Sequence, residues 1–183
     1  MSLAASGIER SGVITFKGNP MTLVGPELKV GQTAPDFSLI ANDLSVVTLK
    51  DALAGNTRAA LLIVVPSIDT SVCSLETAKF NHQVADLPKD KLATYTISVD
   101  LPFAQKRWAA AESVENLHLI SDYKTHEFGH EYGVWIKELG LLARSIFLID
   151  KSGTLQAVSI VSEVAQEPDY EQVLTDARKA IAT

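Results

Sequence analysis

The chain's one cysteine, Cys73, closes the stretch Leu61-Leu-Ile-Val-Val-Pro-Ser-Ile-Asp-Thr-Ser-Val-Cys73. Its spacing from Thr70 and Pro66 is what could do chemistry. If Thr70 caps the helix that follows, Cys73 falls in the first helical turn. Free backbone N–H groups and the positive end of the helix dipole favour negative charge there. A thiol so placed gives up its proton more readily, and the thiolate is the nucleophile. A thiolate attacking a peroxide also needs a donor for the oxygen that gains charge as O–O breaks. Thr70 offers a hydroxyl one turn earlier, and Pro66 would shield one side. A cation is needed as well, and Arg144 is the best candidate. It is the only charge in Leu139-Gly-Leu-Leu-Ala-Arg-Ser-Ile-Phe-Leu-Ile149 and stands at a strand entrance. The plain alternatives are a small apolar core cysteine and a surface arginine snorkelling from an apolar stem. The combination of strand, proline, hydroxyl cluster and helix start favours the nucleophile.

These residues need elements to position them. Leu61 to Val65 has the length and branching of a buried strand, which Pro66 ends. Cys73, Thr77, Phe80, Val84 and Leu87 recur at helical steps as far as Pro88. Leu92 to Val99 is a second buried strand. Phe103 to Glu112 reads as a helix with Pro102 near its start, and Leu117 to Ile120 as a strand. Thr125 to Tyr132 reads as a short helix stopped by Gly133. Ser145 to Asp150 turns through Lys151-Ser-Gly153 into Thr154 to Val161, and a last helix opens at Glu167-Pro-Asp-Tyr170. At the other end, Val13–Phe16 and Met21–Val24 form a hairpin about Lys17-Gly-Asn-Pro20. Phe37–Ile40 and Val46–Leu49 are short strands, followed by a short helix or loop over Lys50–Asn56. This order predicts one α/β sandwich with a mixed sheet over residues 12–183, after a flexible segment over residues 1–11.

Composition bounds the rest. The chain has 183 residues, enough for one domain with a proper core, and a net charge of −6. That charge argues against nucleic acid as a partner of the whole chain. One cysteine rules out an internal disulfide and an all-cysteine metal cage within one chain. No run has the length of a membrane span. The N-terminus lacks a basic region and a long apolar stretch, so no signal peptide is expected.

Several segments together resemble the thiol peroxidase family, a subgroup of the peroxiredoxins. They are Thr15-Phe-Lys-Gly-Asn-Pro20, Val30-Gly-Gln-Thr-Ala-Pro-Asp-Phe37, Pro66-Ser-Ile-Asp-Thr-Ser-Val-Cys73, Asp100-Leu-Pro-Phe-Ala-Gln-Lys-Arg-Trp108, Leu141-Leu-Ala-Arg144 and Glu167-Pro-Asp-Tyr170. The resemblance implies a thioredoxin-like fold: a three-layer α/β sandwich with an N-terminal β-hairpin. It implies that Cys73 is a peroxidatic cysteine that becomes a sulfenic acid, with Thr70, Arg144 and Pro66 around it. It further implies hydrogen peroxide and organic hydroperoxides as substrates, thioredoxin or another thiol as reductant, a homodimer, and no cofactor or metal. The compartment it suggests is the cytoplasm, with a periplasmic mature form as the alternative. One position departs from the pattern. The family's resolving cysteine follows the stretch matching Arg107-Trp108, and here that residue is Ala109. Either alanine was put there by design, or this is a natural one-cysteine form resolved by an external thiol.

Two other readings belong to different classes. A non-catalytic thioredoxin-like interaction domain would bury an inert Cys73. A zinc hydrolase would use His126-Glu-Phe-Gly-His130, which matches H-E-x-x-H with Glu127 as base. Gly129 and Gly133 weaken the long helix that motif requires. Its third ligand, Glu138 or Glu163, would be a guess, and two solvated histidines on a short helix are the simpler reading.

Overall fold

A computed structural model describes residues 7–182. Its centre is β5 (Ala59–Val64), in which every residue is buried. Alternation along this strand divides the interior. Ala59, Leu61 and Ile63 face a cluster with Phe80, Trp108, Val173, Leu174 and Ala177. Ala60, Leu62 and Val64 face the other, with Ile14, Leu23, Phe128, Tyr132 and Ile136. A strand buried on both sides has no polar face to show, which is why its sequence reads as an unbroken apolar run.

The main sheet is mixed, in the order β11-β10-β5-β6-β7-β3-β4. Its members are β3 (Ser38–Ala41), β4 (Val46–Thr48), β5, β6 (Leu92–Ser98), β7 (His118–Ser121), β10 (Ser145–Asp150) and β11 (Leu155–Ile160). β5 pairs with β6, and β6 with β7, in parallel. The remaining pairs are antiparallel. The crossover from β5 to β6 is helix α2 (Ser71–Gln83), continued by a 3-10 turn at Val84–Asp86. The crossover from β6 to β7 is α3 (Pro102–Ala111), where Pro102 supplies a fixed φ in the first turn. On the α2 side of the sheet, the last helix, here α5 (Tyr170–Ala182), adds Val173, Leu174, Ala177 and Ile181. A four-residue helix, α1 (Leu49–Ala52), follows β4 and is held by a capping box between Thr48 and Asp51.

The opposite face is covered by a second sheet, β1-β2-β8-β9, and by α4 (Glu127–Glu131). β1 (Glu9–Phe16) and β2 (Asn19–Val24) are the N-terminal hairpin, with a bulge between Ser11 and Ile14. β8 (Trp135–Ile136) and β9 (Leu141–Leu142) extend it. The mixed sheet between two covering layers is the thioredoxin-like α/β arrangement expected. The first strand starts at Glu9, inside the 1–11 stretch read as flexible, and residues 1–6 lie outside the described residues. Glu163, just past β11, ties the hairpin to the main sheet. Its carboxylate accepts from Thr15 Oγ1 at 2.6 Å, Lys17 N at 3.0 Å and Gly18 N at 3.2 Å. These bonds, Thr15 first, hold it down at about 2.

Candidate active site

The site lies where β5 ends and α2 begins, at the carboxyl ends of the parallel strands. Thr70 is the N-cap of α2, and its Oγ1 accepts from Cys73 N at 3.3 Å. Its own hydroxyl donates to Ser67 O at 3.2 Å. The cap puts Cys73 in the first turn, as its spacing predicts. Pro66 is buried in the connection, just beyond the strand.

The connection is held from the next strand over. Asp100, past the end of β6, accepts from Ser67 Oγ at 2.7 Å and Ile68 N at 2.8 Å. It also accepts from Ser98 Oγ at 2.6 Å. Behind it, buried Gln105 donates to Ser98 Oγ at 3.0 Å and Ile120 O at 3.1 Å. Its amide nitrogen is satisfied in this way, while its buried Oε1 has no hydrogen-bond partner. Trp108 Nε1 donates to Ser74 Oγ at 3.0 Å, which fastens α3 to the turn that carries the cysteine.

Cys73 is wholly buried, and so is Arg144. Arg144 lies just before β10, next to β5 in the sheet, and its Nη2 donates to Cys73 Sγ at 3.1 Å. Its Nε donates to Val164 O at 3.1 Å, and its Nη1 to Glu76 Oε2. Burial works against the guanidinium charge, but Glu76 and then Cys73 outweigh it and hold Arg144 above its ordinary value. Glu76 itself is pushed up to about 7 by burial, against the pull of Arg144. The surface-arginine alternative for Arg144 is therefore wrong: a strand start beneath α2 gives the guanidinium two acidic neighbours and a carbonyl, so it need not snorkel.

An outer set of contacts clasps α2. Lys79 Nζ donates to Glu167 Oε2 at 2.6 Å, and Tyr170 OH donates to the same oxygen at 2.7 Å. The Tyr170 and Phe80 rings meet at 4.9 Å between centroids. Ala109, at the position of the missing second cysteine, is half-buried beside Trp108 and packs against the cluster that contains Cys73.

The histidine motif lands elsewhere, under the second sheet. Helix α4 has only five residues, and His126 is its N-cap, in the left-handed region at φ 55°. His126 and His130 stack at 4.7 Å and 5.4 Å from the Trp135 ring, so they are half-buried rather than solvated. Glu138 is spent on Thr22 N and Glu163 on the hairpin, so neither guess supplies a third ligand. Among the described residues no group of three His, Cys, Asp or Glu side chains could hold a metal. The long helix and third ligand of a zinc hydrolase are both missing from this motif.

Cys73, Thr70 and Arg144 are thus brought together, with Pro66 at the strand end. The sequence reading missed Glu76, three residues past Cys73 on the same helix face, and Asp100. The buried face of α2 also carries Thr77 and Asn81, so Glu76 did not stand out there as a lone polar residue.

Comparison with known proteins points the same way. The AhpC/TSA family profile matches residues 30–158. A thiol peroxidase of Halalkalibacterium halodurans is 51% identical over 168 residues, spanning 92% of this chain and 98% of its own. One from Bacillus subtilis strain 168 is 45% identical over 168 residues, spanning 92% and 97%. Among solved structures, a peroxiredoxin-like protein from Aquifex aeolicus superposes with a TM-score of 0.85 at 38% identity, covering 95% of this chain and 99% of that one.

Proposed function

This chain belongs to the AhpC/TSA family and is a thiol peroxidase, and from that premise we propose that Cys73 is the nucleophile of its reaction. The observation that carries this reading is the buried 3.1 Å contact between Arg144 Nη2 and Cys73 Sγ. The Cys73 thiolate attacks the terminal oxygen of hydrogen peroxide or an organic hydroperoxide. An S–O bond forms, the O–O bond breaks, and the leaving oxygen takes up a proton to leave as water or an alcohol. Cys73 becomes a sulfenic acid. Arg144 holds the thiolate and meets the charge that develops on the peroxide. Thr70 offers its hydroxyl to the same oxygens, and Pro66 walls off one side.

The return half of the cycle is set by Ala109. With no second thiol in the chain, an outside thiol attacks the sulfenic sulfur, forming a mixed disulfide and releasing water. A second outside thiol then frees Cys73. Thioredoxin is the reductant we favour, acting on a homodimer in the cytoplasm or, as a mature form, in the periplasm. Cys73 is wholly buried, so the first turn of α2 opens before a protein thiol reaches it.

The test is single-turnover peroxide consumption by the reduced protein, with dimedone trapping and intact-mass readout. Loss of one peroxide per chain, with dimedone on Cys73, is expected. No consumption, with the thiol still free, would move the site away from Cys73 and return it to the inert interaction-domain reading.

A further inference from the structure

Glu76 lies three residues after Cys73 on the buried face of α2, and its side chain has no exposure. One guanidinium serves both groups. Arg144 donates through Nη1 to Glu76 and through Nη2 to Cys73 Sγ, while Nε is taken by Val164 O. A single positive charge therefore faces two acids. Among the described residues Arg144 is the only ion-pair partner of Glu76. Glu76 Oε1 is buried and has no hydrogen-bond partner. An ionised carboxylate would leave that oxygen bare, at a cost close to its full desolvation. The remaining charged neighbours do not relieve it. Glu167 adds repulsion, and its carboxylate is occupied by Lys79 and by the Tyr170 hydroxyl, which also faces the pair.

We infer that Glu76 is a positioning residue that competes with Cys73 for Arg144, so that one acid carries the anion while the other keeps its proton. With Glu76 protonated, the cation serves the thiolate. With Glu76 ionised, the cation is shared and the thiolate is disfavoured. The sulfenic acid formed by the reaction is neutral, so the cation then passes to Glu76. The proton that Glu76 gives up to solvent balances the one the leaving alkoxide takes from it. Burial sets Glu76 at about 7, so the exchange falls near neutrality. The inference rests on Cys73 being the reacting thiol.

The experiment is the ultraviolet thiolate absorbance of reduced full-length protein across pH, without peroxide, for wild type and Glu76→Gln. Two acids on one cation titrate as a pair, in a broad two-step curve. The variant is expected to give one step at lower pH, with Cys73 alkylated about fivefold faster or more at a pH well below the wild-type midpoint. A second measurement uses the carboxyl carbon resonance of Glu76 in wild type and Cys73→Ser. Linkage is reciprocal, so Glu76 should ionise at lower pH once the thiolate is gone. Superimposable curves in both measurements would overturn the coupling. If Glu76→Gln does not fold, the carboxyl titration decides alone. Shifted curves in a protein that consumes no peroxide would leave the coupling standing and remove the peroxidatic role. Peroxide consumed at Cys73 with unmoved curves would do the reverse.

Discussion

Replacing Asp100 with alanine should loosen the connection that carries Pro66 and Thr70, and slow Cys73 with it. The carboxylate accepts three bonds, at 2.7 Å, 2.8 Å and 2.6 Å. Ile68 is fully buried, so its N–H is left without a partner, which costs about 1–3 kcal/mol. The half-buried Ser67 hydroxyl can turn toward water, the fully buried Ser98 hydroxyl must find another acceptor, and each bond lost costs about 0.5–1 kcal/mol. A total near 3 kcal/mol lowers Tm by about 6–12 °C at this chain length. Ser67→Ala removes one of these bonds and the exposed 3.2 Å bond that its Oγ accepts from Asp69 N, so it should cost about 1 kcal/mol and about 2–4 °C. The kinetic effect follows from displacement, since an error of about 1 Å in a reacting geometry costs about 100-fold. Thermal unfolding and single-turnover peroxide kinetics, run well below Tm, measure both effects on the same samples. We expect Asp100→Ala to lose about 10- to 100-fold in rate and Ser67→Ala less than about tenfold. A lower Tm with an unchanged rate would show that Asp100 supports the fold without positioning the site. An unchanged Tm would show that the three bonds contribute nothing net.

Three further outcomes are expected. Thr70→Val removes the α2 cap, so it should cost about 1 kcal/mol in urea unfolding and about 100-fold in peroxide rate through the lost hydroxyl; Thr70→Ser, which keeps the oxygen, should retain most of both. Glu76 and Asp122 are raised by burial to about 7 and about 6, so the folded chain keeps protons that the unfolded chain releases. Their stabilising contribution is complete below their unfolded values and is lost as pH rises through the folded ones; urea unfolding of Glu76→Gln should therefore depend less on pH from about 5 to about 7 than wild type, and equal slopes would contradict it. Ala109→Cys should form an internal disulfide with Cys73 after one equivalent of peroxide, read as a loss of two hydrogens in intact mass; persistence of the sulfenic acid would mean that α2 and α3 do not part far enough.

The central strand, the cap at Thr70 and the place of Cys73 were legible because each is a local signal: an unbroken β-branched run, a hydroxyl before a helix, a three-residue step. Arg144 was legible for the opposite reason, as the only charge in an otherwise uncharged, mostly apolar run. Glu76 was not, because a helical glutamate ordinarily marks a solvated face, and only the seating of α2 over β10 buries it. Asp100 was hidden by distance along the chain, since two of its partners lie more than 30 residues away. β8 and β9 have two residues each, too few to show a period, and so the hairpin's membership of a second sheet could not be read. The histidine motif was visible, but its helix length depends on His126 sitting in the left-handed region and on Asp122 bonding the N–H groups of Phe128 and Gly129.

The connection from β11 to α5 touches nearly everything the site depends on. Glu163 holds the hairpin, Val164 O holds Arg144, and Glu167 holds Lys79. A stretch that reads as a spacer therefore acts as a ruler, and its length becomes a fixed quantity. Adding or removing one residue there would shift those three anchors out of step with one another. Insertions and deletions among descendants of this chain should accordingly collect at exposed turns away from these anchors, such as Lys89–Asp90 and Glu112–Ser113, and spare residues 161–169, a pattern open to insertion scanning.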